Sequence, residues 1–263
     1  MLKIGKFIDT TYRYDNLYEG EYYGQKCMLL EKYYANDKYH ELLINNMKRC
    51  SHPNLIKFID SQEKYIIMEY AGIPLKKYMM EDPPEHSAIK SIVLQLTNIL
   101  LFLEKEDVYH LFLKPDNIFI DPLTRSVKLF DFGIEYDDRH PKEWNIKKYN
   151  AYESKTEIIG DNRTRKKEDV WIFGVILFQL ELWENVTTKG FQYNSWDYVT
   201  KWIFYPRTPV VIDRCQDKKL EYIIRKCLTW EEYRPSMKEL KPLIIDCFGD
   251  DNSIDLSRIF ESA

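Results

Sequence analysis

Glycine is scarce in this chain of 263 residues: there are nine, and none between Gly5 and Gly20. That interval has no glycine for a tight turn or a close backbone approach. Cysteine is thin as well, since Cys27, Cys50, Cys215, Cys227 and Cys247 are odd in number, scattered, and form no C-x-x-C pair. That pattern excludes a disulfide framework and a zinc ribbon, and it points to reduced thiols in an intracellular setting, cytoplasmic or nuclear. No excess of one charge is available to coat a duplex, because 38 basic residues stand against 42 acidic ones for a net charge of −4. Nucleic acid is not expected as a partner. Long apolar runs are missing too. The nearly uncharged stretch Val170 to Leu180 is about half of the roughly 20 residues a membrane helix requires, so no membrane association is expected. The first residues, MLKIGKFIDTTYRYD, lack the apolar core and the cleavage site of a signal peptide.

What is present is a hydrophobic content of 44%, enough for one large domain or two packed lobes. Aromatic and β-branched residues predict strands over 3–9, 17–23, 26–32, 55–59 and 64–70, with a helix over 38–49. After Tyr70 the punctuation Ala71-Gly72-Ile73-Pro74 gives way to helical periodicity, which marks a lobe boundary. Ile89, Ile92, Val93, Leu96, Ile99, Leu100 and Leu103 share one face of a helix predicted over 86–105, preceded by the capping stretch Asp82-Pro83-Pro84-Glu85. Short strands are predicted over 118–120 and 126–129, then an exposed ordered loop from 131 to 153. A helix over 167–183, apolar on nearly every side, belongs at the centre of a lobe. Further helices fit 220–228, 237–247 and 254–262.

Six motifs then fall in order along the chain. They are His52-Pro53-Asn54-Leu55-Ile56, Ile67-Met68-Glu69-Tyr70, the run from His110 to Asn117, Asp131-Phe132-Gly133, Ala151-Tyr152-Glu153, and Glu168-Asp169-Val170-Trp171 followed by Arg234-Pro235-Ser236. Their order and spacing resemble the eukaryotic protein-kinase domain across essentially the whole chain. The resemblance implies an α+β, bilobal, protein-kinase-like fold in a single domain over 1–263. Its small β-rich N-lobe, with one main helix, would occupy 1–70, a hinge 71–75, and a larger, mostly helical C-lobe 76–263.

The departures from that family concern its reactive positions. Counting back from Leu17-Tyr18, the three glycines of the phosphate-covering turn fall near Thr10, Tyr12 and Asp15, and an acid there would repel phosphates. Leu30 stands where the family has the phosphate-pairing lysine. Lys32 is the alternative, at the cost of a two-residue shift of strand register. The glutamate that pairs with that lysine is replaced by Leu43, with Glu41 as the alternative on another face of the helix. In the catalytic loop Phe112 replaces the aspartate that accepts the substrate proton, and Leu111 replaces the arginine. Phenylalanine accepts no proton, and a general base typically contributes about 10²–10⁴-fold. Asp116 is the nearest other carboxylate and reads as a surface residue or a local cap. Between Phe132 and Glu153 there is no serine or threonine, only Tyr136, Tyr149 and the Tyr152 of the motif itself as hydroxyls, and Ile146 stands at the substrate-proximal threonine.

Other family positions are kept. The resemblance implies that Lys114 would face a nucleotide's phosphates, that Met68, Glu69 and Ala71 would line its base, and that Asn117 and Asp131 would be metal ligands. Asn117 and Asp131 also suit backbone hydrogen bonding within their own loop, so both readings stay open. His110, Phe132, Gly133, Glu153, Asp169 and Arg234 are implied as structural: His110 and Phe132 in a spine between the lobes, Glu153 and Arg234 as a buried ion pair, Asp169 as a holder of the catalytic loop. The expected function is that of an inactive kinase-like protein that acts by binding another protein, an active kinase or its substrate, as scaffold, regulator or competitor. It requires no cofactor, and weak binding of ATP and Mg²⁺ stays open. The alternatives are a weakly active Ser/Thr kinase and a nucleotide-binding switch without transfer. Tyr22-Tyr23, Tyr33-Tyr34 and Phe191-Gln192-Tyr193 are candidate anchors for a protein contact.

Overall fold

Tyr23 and Gly24 both take positive φ, 49° and 83°, which makes the two-residue turn whose twist matches that of antiparallel strands. The computed structural model of the chain describes residues 1–10, 15–33, 37–81, 86–110, 113–133, 162–187, 217–229 and 231–248. The Tyr23-Gly24 turn joins β2 (Asn16–Tyr22) to β3 (Gln25–Glu31), and the two pair without a register shift from Tyr22↔Gln25 to Asn16↔Glu31. With β1 (Leu2–Thr10), β4 (Phe58–Ser61) and β5 (Tyr65–Glu69) they form a five-stranded antiparallel sheet in the order β1-β2-β3-β5-β4. Both faces of β3 are covered. Met28 and Leu30 belong to the main core together with Leu43 and Met47 of α1 (Asp37–Arg49). Cys27 and Leu29 point the other way into a smaller cluster with Tyr65 and Ile67, against which Tyr18 and Tyr22 pack.

The strand predicted at 55–59 forms three residues later. The backbone of Asn54 and Ile56 is already committed to Leu129, and Leu55 makes a lone parallel bridge to the same residue. These bonds tie the segment to the second sheet, β6-β7-β8, made of Ile73–Pro74, Ile118–Ile120 and Val127–Leu129. Gly72 explains why the chain can cross between the sheets here. Its φ is 93°, and a Cβ on it would lie 2.1 Å from the Ile120 carbonyl oxygen.

The helical part comprises α2 (Leu75–Glu81), α3 (His86–Lys105), α4 (Asn162–Thr187), α5 (Lys218–Cys227), a 3₁₀ turn at Glu231–Tyr233 and α6 (Met237–Phe248). Neither α2 nor β6 is long enough to show a period in the sequence. The α4 helix extends past the predicted 167–183 at both ends, where its residues are polar and carry no stripe. Over Ser87–Lys105 the α3 helix is long and apolar enough by composition to cross a membrane, and 72% of that stretch is buried in the core. Asp217 caps α5, its Oδ1 accepting the N–H groups of Lys219 and Leu220 at 2.8 and 3.1 Å. The capping stretch 82–85, the loop beyond Gly133 as far as 153, residues 191–193 and the helix predicted at 254–262 lie outside the described residues. Four cysteines are free thiols, Cys27, Cys50 and Cys227 buried and Cys247 half-buried; Cys215 is not among the described residues.

Helices α4 and α5 pack closely at Gly174 of α4, where a Cβ would come within 2.3 Å of the Cys227 Cβ on α5. Gly174→Ala is therefore expected to destabilise the chain by about 1–3 kcal/mol through overpacking, read as a lower urea midpoint with an unchanged slope.

Candidate functional site

The inward face of α1 organises the site. Tyr39, Leu43 and Asn46 are spaced four and three residues apart, which puts them on one side of the helix. Leu43 in the middle is fully buried, as is Leu30 on β3, and both belong to one apolar cluster. Leu30 sits in an unbroken register, opposite Leu17 on β2 and Ile66 on β5. Lys32 follows the end of the strand, its N–H donating to the Lys64 carbonyl at 2.9 Å. Glu41 is exposed on α1. Thus neither alternative charge replaces the leucine pair. Each buried leucine contributes roughly 1.5–3 kcal/mol and brings no desolvation cost. A buried ion pair in the same place roughly breaks even.

On either side of Leu43 the helix grips the segment Asp131–Gly133. The Tyr39 hydroxyl donates to Asp131 Oδ1 at 2.8 Å. Asn46 Nδ2 donates to the carbonyl of Gly133 at 2.7 Å and to that of Phe132 at 3.4 Å. Asp131 has φ 63° and Gly133 φ 70°, so the segment turns sharply at both ends. A Cβ at Gly133 would lie 2.8 Å from Asn46 Nδ2, and only glycine fits this turn beneath the helix. Phe132 is fully buried in the core between them.

Asp15, at the third position of the expected phosphate-covering turn, does not face a phosphate. It is fully buried, its Oδ1 lying 3.0 Å from His40 Nε2 on α1 and accepting the Tyr33 N–H at 2.7 Å. The carboxylate is an acceptor only, so His40 Nε2 donates. The expectation that this acid repels phosphates from above the cleft is corrected: it ties the β1–β2 loop to the helix instead.

The C-terminal wall is built by the loop between α3 and β7 and by the β8 end. His110 is fully buried, its Nε2 2.9 Å from the Phe130 carbonyl, and its backbone N–H donates to Asp169 Oδ2 of α4 at 2.7 Å. Asn117 N–H donates to the Lys114 carbonyl at 2.9 Å, and the Asn117 carbonyl accepts the Phe130 N–H at 2.9 Å. Lys114 is buried, and burial holds its ammonium pKa below the ordinary value, against the pull of the Asp116 and Asp131 carboxylates. Asp116 is half-buried and pairs with Lys76 at 3.0 Å. Along the hinge, Met68 is fully buried opposite Met28. Ala71 is buried, and Glu69 Oε1 accepts both Lys57 N–H and Lys128 Nζ at 2.9 Å. Arg234 is buried beside the Trp171 ring, 4.9 Å from its centroid, donates to the carbonyls of Lys167 and Thr229, and lies 4.0 Å from Glu168.

Lys114 lies near both Asn117 and Asp131, and Leu30 and Leu43 lie in the apolar core; Leu111, Phe112, Tyr136, Ile146, Tyr149, Tyr152 and Glu153 lie outside the described residues. Three positions that would meet a metal-bound nucleotide are engaged otherwise or replaced. Asp131 is held by a phenol, Asp15 by a histidine, and the ammonium expected on β3 is a leucine methyl surface. Sequence reasoning missed Tyr39, His40 and Asn46; the one signal available for two of them was the spacing of Tyr39 and Asn46 from Leu43 on one helical face.

Comparison with known proteins bears on this geometry. Residues 8–242 match the protein kinase domain family. A SNF-related serine/threonine-protein kinase of Rattus norvegicus is 31% identical over 142 residues, covering 51% of this chain and 19% of that protein. The serine/threonine-protein kinase PrkC of Bacillus subtilis is 29% identical over 140 residues, 49% of this chain and 21% of that protein. Serine/threonine-protein kinase KSP1 of Saccharomyces cerevisiae is 27% identical over 145 residues, 51% of this chain and 14% of that protein. The matches span 14% to 32% of the length of these and one further curated relative.

Two outcomes follow from the burial of this site. Leu30→Lys places a charge without a partner in the core and is expected to cost at least about 3 kcal/mol, measured by urea unfolding. Burial also lowers the pKa of both His52 and His110 from 6.5 to about 4. The unfolded chain takes up protons below pH 6.5, whereas the folded one waits until about pH 4. Stability is therefore complete above pH 6.5 and falls between there and pH 4, by about 3 kcal/mol from His110 alone. Urea midpoints at pH 7.5, 6 and 5 check this; equal midpoints would contradict it.

Proposed function

The chain belongs to the protein-kinase superfamily, and on that premise we propose that it is a member without phosphotransfer activity that works by binding another protein, an active kinase or such a kinase's substrate. The observation that carries this reading is the apolar cluster holding Leu30 and Leu43 where an active site would hold a lysine and its glutamate. Transfer of a phosphoryl group asks the protein chiefly to position the phosphates and neutralise their charge. A leucine at the position of the β3 lysine, an Asp15 turned inward and Phe112 in the sequence position of the proton acceptor all support this reading.

The scaffold, by contrast, is well supplied. Asp169 holds the backbone of His110, Asn46 holds Gly133, and α1 is fastened to both walls of the cleft. A rigid body of this kind suits a protein that presents a surface, since little ordering entropy is lost on binding. Among the expected anchors, Tyr23 is 75% exposed and Tyr33 53% exposed, which leaves both rings available for a contact. Tyr22 is half-buried, its hydroxyl bonded to Asp60, and serves the sheet. Tyr34 and 191–193 lie outside the described residues.

Weak Ser/Thr kinase activity has Lys114, Asn117 and Asp131 in its favour, and one experiment separates the readings. The purified chain, given ATP labelled at the γ-phosphate and Mg²⁺, is expected to label neither itself nor a generic protein substrate above background. Labelling that disappears in Asp131→Asn would establish the weak kinase instead.

A further inference from the structure

The five-stranded sheet ends at β1, which among the described residues pairs with β2 alone. Which of its backbone groups face away from β2 follows from one bond. Tyr23 N–H donates to the Met1 carbonyl at 3.0 Å, and Met1 stands opposite Tyr23 in the register that continues as Leu2↔Tyr22, Lys3↔Glu21 and Ile4↔Gly20. In an antiparallel pair, opposed residues alternate between those that exchange hydrogen bonds and those that do not. Met1 and Lys3 therefore turn their backbone groups to β2, while Leu2 and Ile4 turn theirs to the open edge. Among the described residues nothing bonds to them there, and Lys3 to Phe7 are exposed without a break.

Side chains divide the same edge in two. Leu2 and Ile4 stand opposite Tyr22 and Gly20, so their side chains share the sheet face of the smaller apolar cluster. Ile4 is 53% exposed there, and Phe7, past a bulge, is 49% exposed with its ring edge-on to Tyr18 at 5.7 Å. Lys3 belongs to the other face, where its ammonium lies 2.8 Å from Glu21 Oε1 in a pair open to water. Such a pair contributes little, and the ammonium keeps further hydrogens for a second carboxylate. Tyr23 closes the Leu2 end, its ring 4.6 Å from that of Tyr22.

An unpaired edge of this kind is a template for another strand. A second copy of the chain is the poorer occupant. Antiparallel pairing that engages both outward residues joins Leu2 of one copy to Ile4 of the other and sets Lys3 opposite Lys3. That position exchanges no hydrogen bonds and so brings side chains closest. Like charges directly opposite destabilise a pair of strands, whereas a carboxylate in the same place stabilises it.

Resting on the reading of the chain as a protein that works by binding another, we infer that β1 is a docking edge and that its occupant is an extended segment of the partner. That segment runs antiparallel to β1, sets apolar residues opposite Leu2 and Ile4, and carries a glutamate or aspartate opposite Lys3. Main-chain bonds to Leu2 and Ile4 hold it, and the Lys3 ammonium chooses among sequences. The register shifts after Ile4 keep the paired stretch short.

The test titrates the ¹⁵N-labelled full chain with an end-blocked peptide of alternating valine and glutamate and follows the amide resonances, which register weak and strong binding alike. The amides of Leu2, Ile4 and Tyr23 are expected to shift saturably. A peptide with lysine in place of glutamate is expected to bind at least about threefold more weakly, the scale of one opposed charge pair turned from attraction to repulsion. Lys3→Glu, a change on an exposed side chain, is expected to reverse that preference. No saturable shift in β1, equal affinity for the two peptides, or an unchanged preference in Lys3→Glu overturns the inference. So do shifts of the same amides with protein concentration alone, which would name a second copy as the occupant. Should Lys3→Glu fail to fold, the two peptides on the wild type decide it. Each of these failures removes the role of β1 and leaves the reading of the chain as a partner-binding protein standing. Phosphate transferred by the chain would remove that reading instead.

Discussion

The inward face of α1 is the contact on which the two halves of this molecule depend. Leu43 shares one apolar core with Leu30 of β3, while Tyr39 and Asn46, one turn before and one turn after it, bond to Asp131 and to the carbonyls of Phe132 and Gly133. An active kinase-like cleft would use a lysine and a glutamate at the centre of this face. Here the centre is dry and the polar bonds have moved to its flanks. The exchange is energetically coherent, because two buried leucines stabilise the contact without the desolvation that a buried ion pair must first overcome. Losing only one of the two charges would have left the other buried and unpaired, which is the costly case.

With that face fixed, the remaining polar groups of the site act as joints. Asp15 carries no phosphate-facing role but secures the loop ahead of β2 through His40. Asp169 secures the backbone of His110, and the imidazole of His110 reaches the Phe130 carbonyl just before the Asp131 turn. Burial keeps that imidazole neutral, so it can bond a carbonyl without the cost of a buried charge. Each of these groups is buried and bonded, which is the condition under which polar residues rigidify a core rather than weaken it. The outcome is a cleft whose walls are held to one another by the chain's own side chains.

Much of this architecture was legible in the sequence, for identifiable reasons. The α3 helix was readable from 86 to 105 because seven apolar residues mark its buried face, and β2 and β3 because aromatic and β-branched residues dominate them, although Tyr23, read as strand, belongs to the turn. The positions of Leu30 and Leu43 could be found by counting from the surrounding motifs. Three things escaped. The two-residue β6 and the short α2 are shorter than the periods that would betray them. The strand after Leu55 starts late because Leu129, more than seventy residues on, claims the backbone around it. Asp15 was read as a repelling charge because its neighbours in sequence say nothing of His40, which reaches it from a helix.

Residue identities alone show what this protein lacks: a glycine between positions 5 and 20, a lysine at 30, a glutamate at 43 and an aspartate at 112. Those are facts of residue identity, and no folding can supply a missing functional group. Only the tertiary structure decided what the surviving groups do instead. Asp131 Oδ1 accepts from a phenol 92 residues away in the chain, brought to 2.8 Å by the docking of α1. A carboxylate's partners are set by distance in space, and distances of that kind arise only when separate elements pack.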